Sequence, residues 1–356
     1  MDDATRDPTS KLRHIEACLT RPVEYVRTAG FEAYEFQNEA LPELSLADLD
    51  LSCKLAGRSL RAPLMIAPMT GGTEKGRAIN RRLAAAAECH GLALGVGSQR
   101  IALEDPSLAA WFEVRDVAPS VPLFANLGAA QLALGYGPDE ARRAVAMIGA
   151  DALFVHLNPM QEALQGTACD FRGVASRLEQ ICRDLARDGI PVFAREVCFG
   201  MTEQTARRLA ECGVSGIDCS GAGGTSWAKV EAHCAVTARE RERALRFGEW
   251  GIATCESIQN VRRALPSLPL IASGGVRSGS DIAKAIALGA DLAAMARPLL
   301  LKADESENAL HQFIEELIAD LRTCMFATGS GTVPALRGKL RPASQPARAH
   351  RAGRAS

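Results

Sequence analysis

The sequence predicts an α/β fold, a closed (βα)8 TIM barrel, and three observations predict it. Eight short apolar runs follow residue 60, at 63–68, 92–96, 123–127, 152–157, 191–197, 216–219, 268–272 and 292–296. They are rich in Val, Ile, Leu, Ala and Phe without clean alternation, as in strands buried on both faces. Amphipathic stretches with helix punctuation lie between them. Glycine-rich and polar clusters recur at the carboxyl ends of the runs, where parallel α/β proteins bind their ligands. An open doubly wound sheet has fewer strands and a phosphate loop after the first. Here the first turn, Met69-Thr70-Gly71-Gly72, is not a G-x-G-x-x-G pattern.

In chain order, residues 1–60 form a preceding arm expected to cross the barrel mouth or base, and residues 61–336 form the barrel. Helix 76–90 places Ile79, Leu83, Ala86 and Ala87 on one face and stops at Gly91. Pro138 suits the first helical position before 139–148. Thr202 caps 203–212, which stops at Gly213, and Ser280 or Asp281 caps 282–288, which stops at Gly289. The stretch 227–250 exceeds a usual connection and reads as a helical excursion or lid. From Arg337 a basic tail without Asp or Glu reads as a flexible terminus.

Composition narrows the function. An apolar content of 47% supplies a large core. The formal charge is −1, and removing the tail's six positive charges leaves −7 for residues 1–336, which argues against general attraction to nucleic acid. Eleven cysteines show neither a C-x-x-C pair nor metal-like spacing, and no signal peptide precedes them. Reduced thiols in a cytoplasmic protein are the expectation. No apolar run reaches the roughly 18 residues of a membrane span.

The last two units carry Ser273-Gly274-Gly275-Val276-Arg277-Ser278-Gly279 and Ala296-Arg297-Pro298. Barrel enzymes bind phosphate at this corner through backbone N–H groups, and Arg277 would add charge. Thr225 and Ser226 offer hydroxyls beside it. Thr70, Ser98 and Asn126 end the first three strands with small polar groups that suit a flat, polar-edged heterocycle. Flavin mononucleotide fits both halves, its ring over strands one to five and its phosphate at seven and eight. Glu162, among His156, Asn158 and Gln161 at the fourth strand end, is a candidate Mg²⁺ ligand. Arg100 after Ser98 and Gln99, with Lys11 and His14 from the arm, would clamp a second, substrate-borne phosphate or diphosphate. Arg195 points at the cofactor region or pairs with the adjacent Glu196.

These segments occur in a fixed order over about residues 10–330: Lys11 and His14-Ile15, Asn38 with Ala40-Leu41-Pro42-Glu43, Met69 to Gly72, Gly97 to Arg100, Asn126 to Ala129 with Gln131-Leu132, His156-Leu157-Asn158 with Gln161-Glu162, Ser220 to Trp227, Trp250-Gly251-Ile252, and Ser273 to Gly279. So ordered, they resemble the type 2, flavin-dependent isopentenyl-diphosphate isomerases. The resemblance implies reduced FMN stacked against an isoprenoid diphosphate, Mg²⁺ on the diphosphate, and NADPH as the reductant of the flavin. It implies acid–base use of the flavin, with a proton delivered from its N5 region to the alkene and another lost from C2. It assigns Gln161, His156 and Asn158 to catalysis and Glu162 to the metal. Ser10, Lys11, His14, Ser98, Gln99, Arg100 and Gln161 would meet substrate. Met69, Thr70, Gly71, Ser98, Asn126, Arg195, Ser220, Thr225, Gly274, Gly275, Arg277, Ala296 and Arg297 would hold FMN. A homotetramer or homo-octamer is also implied.

Three positions depart from the family pattern. Ser10-Lys11 stands for Arg-Lys, Arg195-Glu196-Val197-Cys198 for Lys-Glu-Val-Gly, and Ala253 for the Pro after Trp-Gly-Ile. The departures keep open a flavin-assisted, proton-initiated reaction on another isoprenoid, such as a cyclisation. An FMN-dependent oxidoreductase is the alternative from another class. A hydroxyacid oxidase would need a His base near an Arg at strand seven, and no His occurs between His233 and His311; a nucleotide dehydrogenase would want a Cys in the sixth loop, and Cys219 lies before that turn. A non-catalytic flavin-binding relative is the third reading.

Overall fold

The computed structural model describes residues 8–166 and 169–343, with the side chains of residues 8–10 left out. The eight barrel strands are β1 Leu64–Ile66, β2 Ala93–Gly95, β3 Leu123–Gly128, β4 Ala152–Leu157, β5 Val192–Glu196, β6 Gly216–Asp218, β7 Leu270–Ala272 and β8 Leu292–Met295. Each pairs in parallel with the next, and β8 closes on β1. Every predicted run overlaps one of them: β4 matches its run, β3 continues one residue past its run to Gly128, and the other six strands lie within their runs.

Two apolar layers hold the barrel. The outer layer packs helices on strands. The inner one is built from Met65, Phe124, Phe154, Phe193, Ile271 and Leu292. The rings of Phe124 and Phe154 stack at 4.6 Å between centroids, and Phe193 meets Phe124 edge-on at 5.3 Å. Gly216 is required beside them, since a Cβ there would overlap the Phe193 ring.

The arm reaches both ends of the barrel. Its hairpin, Cys53–Leu55 with Arg58–Leu60, inserts Leu55 and Leu60 under the inner layer at the base. Its helix, Pro8–Thr20, lies at the mouth. The excursion after β6 consists of two helices, Trp227–Cys234 and Ala238–Arg246, capped by Ser226 and Thr237.

Three sequence expectations shift. Helix Glu74–His90 starts two residues earlier than expected because Thr73 caps it. Helix Gly279–Ala287 is capped by Ser278, with Asp281 closing a capping box; Ser280 and Asp281 already lie inside it. The tail was expected to be free from Arg337. Instead Arg337 pairs with Asp291, and Leu340–Pro342 pairs antiparallel with Tyr34–Phe36. The remainder of the basic tail lies outside the described residues. Among the described residues, no helix is long and apolar enough to cross a membrane.

Candidate active site

The carboxyl ends of all eight strands, the arm helix and the two-helix excursion enclose a cavity of about 640 Å³. Met69, Thr70, Gly71, Ser98, Asn126, Arg195, Ser220, Thr225, Gly274, Gly275, Ala296 and Arg297 line it. So do Lys11, His14, Arg100, His156, Asn158, Gln161 and Glu162. The helix carries Ser10 toward the same end, but its side chain lies outside the described set.

At the β6–β7 corner the glycines serve contact between backbones. A Cβ on Gly224 would stand 2.5 Å from the Gly275 nitrogen, and one on Gly275 would stand 2.7 Å from Gly223. Only glycines let the two turns touch, and Gly275 also holds φ +71°. Ser220 carries a left-handed φ of +47° without being glycine, a strained backbone of the kind found at functional sites. Helix Arg297–Glu305 begins at Ala296 without a side-chain cap, and its first residues line the cavity. Such a start offers N–H groups to an anion.

Two expected ligand residues are placed otherwise. Arg277 does not line the cavity. Its Nη1 donates to the carbonyl oxygens of Gly223 (3.0 Å) and Gly275 (3.3 Å), and Nη2 reaches Glu24 at 3.0 Å, so it clasps the two turns from outside. Gln99 is fully buried. It donates to the Ala144 carbonyl at 2.8 Å and accepts from the Asn126 N–H at 2.9 Å, joining β3 to an outer helix. Its two neighbours, Ser98 and Arg100, face the mouth instead.

Arg195 pairs with Asp218, not with Glu196, and its guanidinium lies 5.7 Å from the Phe154 ring centroid. Ser273 donates to the other oxygen of Asp218 at 2.6 Å. The Glu196 carboxylate instead accepts from the N–H groups of Cys198, Phe199 and Gly200 at 2.6–2.8 Å. Burial pushes Glu196 up to about 7 against the pull of those donors.

His156 is held neutral. Asn126 donates its amide N–H to the Val96 carbonyl at 3.0 Å, which turns Oδ1 toward His156 Nδ1 at 2.8 Å. Nδ1 therefore carries the proton, and Nε2 is left as an acceptor. Burial, reinforced by Arg195 and Lys11, lowers His156 to about 4.

The excursion supplies a residue that the sequence reading missed. Glu231, on helix Trp227–Cys234, accepts from Gln161 Nε2 at 2.7 Å and from Gln165 Nε2 at 2.8 Å, and His14 Nε2 stands 3.3 Å away. Burial opposes a charge on His14, but hydrogen bonds to Cys234 and Glu231 raise it to about 10, so the pair is ionic. The His14 ring also meets Trp227 edge-on at 5.5 Å. The sequence signal was an acid between Trp227 and Cys234 on one helix face, opposite Lys229 and His233. Lys11 Nζ donates to the Ser98 carbonyl at 2.8 Å and sits over Phe112. Burial, then Arg100, draws Lys11 down to about 7. Removing a cation from water at this cost makes sense where an anion repays it.

Asn158 stands at the N-cap position of helix Pro159–Gln165 without a side-chain capping bond, and the first turn carries Gln161 and Glu162. Its Nδ2 donates to Gln161 Oε1 at 3.2 Å and to Glu162 Oε1 at 2.9 Å. Its Oδ1 is buried without a partner among the described groups. An orphan amide oxygen beside a carboxylate is a donor set suited to a hard cation such as Mg²⁺. The polar edge formed by Thr70, Ser98 and Arg195, with the anion-ready start at Ala296–Arg297, likewise fits FMN.

A family model for FMN-dependent dehydrogenases matches residues 178–341. Solved relatives include a mandelate oxidase mutant with a C4a-OH-FMN adduct, at TM-score 0.62 and 19% identity over 94% of this chain and 98% of that one. A flavocytochrome b2 variant with sulfite bound gives TM-score 0.66 and 17% identity over 92% and 82%. At such identities the likeness shows the fold alone. Curated relatives are far nearer. An isopentenyl-diphosphate delta-isomerase of Synechococcus sp. is 51% identical over 94% of this chain and 97% of its own length. Those of Nostoc sp. and Cronobacter sakazakii are 46% and 48% identical over 94% and 91% of this chain, and 95% and 93% of their own. The sequence likeness over almost the whole chain and the flavin-type barrel lead to one conclusion: the chain belongs to the FMN-dependent isopentenyl-diphosphate delta-isomerase family.

Proposed function

We propose that the chain interconverts isopentenyl diphosphate and dimethylallyl diphosphate, with FMN in its reduced form, NADPH as reductant, and Mg²⁺ on the diphosphate. The observation that carries this reading is the polarity of the cavity. Half-buried Lys11 and His14, with Arg100, stand on the arm side, and the neutral imidazole of His156 lines the same cavity with amides around it.

Reduced FMN, when bound, supplies an acid–base centre able to give and take a proton at carbon. The phosphate of FMN would rest on Gly274, Gly275 and the start at Ala296–Arg297. The edge of its ring would meet Thr70, Ser98 and Arg195. Lys11, His14 and Arg100 would neutralise the diphosphate, and its arrival would restore the Lys11 proton that burial weakens. Glu162, with Asn158 Oδ1, would give oxygen ligands to Mg²⁺ on that diphosphate. Gln161, held from both sides by Asn158 and Glu231, would be fixed against the five-carbon chain. His156 presents an acceptor without positive charge, so positive charge developing on the alkene meets no like charge there. The arm helix and excursion exclude water, which would otherwise capture a carbocation.

The experiment is exchange between the two five-carbon diphosphates by full-length protein with FMN, NADPH and Mg²⁺. Exchange is expected, with Gln161→Ala and Glu162→Gln each lowering kcat/KM about 100-fold or more. Full activity in both variants would refute the proposed roles. No exchange, with turnover of a longer isoprenoid, would favour the cyclisation reading.

A further inference from the structure

We propose that Cys89, His90 and His311 form a binding site for a thiophilic divalent cation, of which Zn²⁺ is the best match, on the outer wall of the barrel. Cys89 and His90 end helix Glu74–His90, and His311 lies on helix Glu307–Ala327. The three ligand atoms lie within 4.8 Å of one another. His90 Nε2 and His311 Nδ1 are 2.9 Å apart. The first helix runs into the amino end of β2, so the cluster sits at the barrel's base, away from the catalytic mouth.

The chemistry selects the metal. One thiolate and two imidazoles form a borderline-soft set that suits Zn²⁺ and disfavours Mg²⁺. Zn–N bonds of about 2.0–2.1 Å and a Zn–S bond of about 2.3 Å put tetrahedral ligand atoms about 3.3–3.6 Å apart. The imidazole nitrogens need only part slightly, and exposed Cys89 can turn its Sγ toward them. Three protein ligands leave a fourth position to water.

The surroundings prepare both rings. Glu307 lies 4.0 Å from His311 Nε2 and favours the proton there, which leaves Nδ1 bare. Carboxylates orient metal-binding histidines in this way. His90 then donates its Nε2 proton to His311 in the empty site. On loading, that proton shifts to His90 Nδ1, and the Cys89 thiol releases its own to solvent. Arg61, whose Nη1 reaches the Cys89 carbonyl at 3.2 Å, opposes the cation, while Glu315 and Glu307 offset it.

Co²⁺ titration of the full chain tests the site, followed by displacement with Zn²⁺. One equivalent should give a thiolate-to-cobalt charge-transfer band that Zn²⁺ abolishes, and Zn²⁺ should raise the Tm. Cys89→Ser should remove the band, and His311→Ala should weaken binding on the order of 100-fold, because a direct ligand matters at least as much as its supports. Flavin content and isomerase activity should stay unchanged in both, which verifies folding and separates this site from the catalytic one. No band in the parent, or the same band and affinity in either variant, overturns the proposal.

Discussion

The β6–β8 corner and the arm-plus-excursion roof face each other across one cavity, yet they are built by opposite means. The corner is backbone packed on backbone, with Gly224 and Gly275 in contact and Arg277 clasping them from behind. The roof is side-chain electrostatics: Glu231 is buried, Lys11 and His14 are half-buried, and each is balanced by partners or by the charge of an incoming ligand. A rigid corner suits a resident cofactor that is kept through many turnovers. A charged roof suits a diphosphate that must enter and leave.

The sharpest way to break the corner is Gly275→Ala. It adds a Cβ against Gly223 at a φ of +71°, so we expect about 3 kcal/mol of lost stability and loss of retained FMN. Urea unfolding and flavin absorbance would check both. At the roof, Glu231→Gln removes the carboxylate that helps hold the His14 proton. A fall of about 100-fold in kcat/KM is expected with FMN retention unchanged, because breaking a buried charge pair costs a few kcal/mol. Loss of flavin in that variant would dissolve the distinction between the two regions.

Gln99 separates framework from contact in a single side chain. With both amide ends bonded to backbone, Gln99→Ala should cost about 2 kcal/mol of stability and leave the KM for the diphosphate unchanged. A raised KM with intact stability would return Gln99 to the site.

The corner was legible in the sequence because its requirement is local. Glycines and strand-length apolar runs declare themselves in a few residues. The roof was only half legible. Lys11 and His14 sit on a short helix that reads like any surface helix, and their burial depends on contacts more than 80 residues away, as Lys11 to Ser98 shows. Glu231 was not singled out because its partners, His14, Gln161 and Gln165, come from two distant segments. Side-chain direction was the other blind spot. Gln99 was grouped with Ser98 and Arg100 by adjacency, although neighbours at a strand end point to opposite sides. Arg277 was drawn to the phosphate by its charge, whereas the carbonyls of Gly223 and Gly275 claim it.

The smallest effect is a slope. The folded protein holds the His14 proton up to about 10, against 6.5 unfolded, so this group makes stability fall as pH rises through that window. Lys11 works in reverse. Its folded value is about 7 against 10.5 unfolded, so it makes stability rise with pH across that range. The two nearly cancel in the parent. Lys11→Met should expose a falling slope in urea stability between about pH 7 and 10, and Glu231→Gln a rising one. A flat profile in both would show that these charges are not buried together.

Counting NADPH against product tests the central claim most directly. If residues of this cavity serve an acid–base isomerisation on reduced FMN, one reduction should support many conversions of isopentenyl diphosphate to dimethylallyl diphosphate under anaerobic conditions. Consumption of one NADPH for each product molecule would contradict the account and make the chain a flavin oxidoreductase.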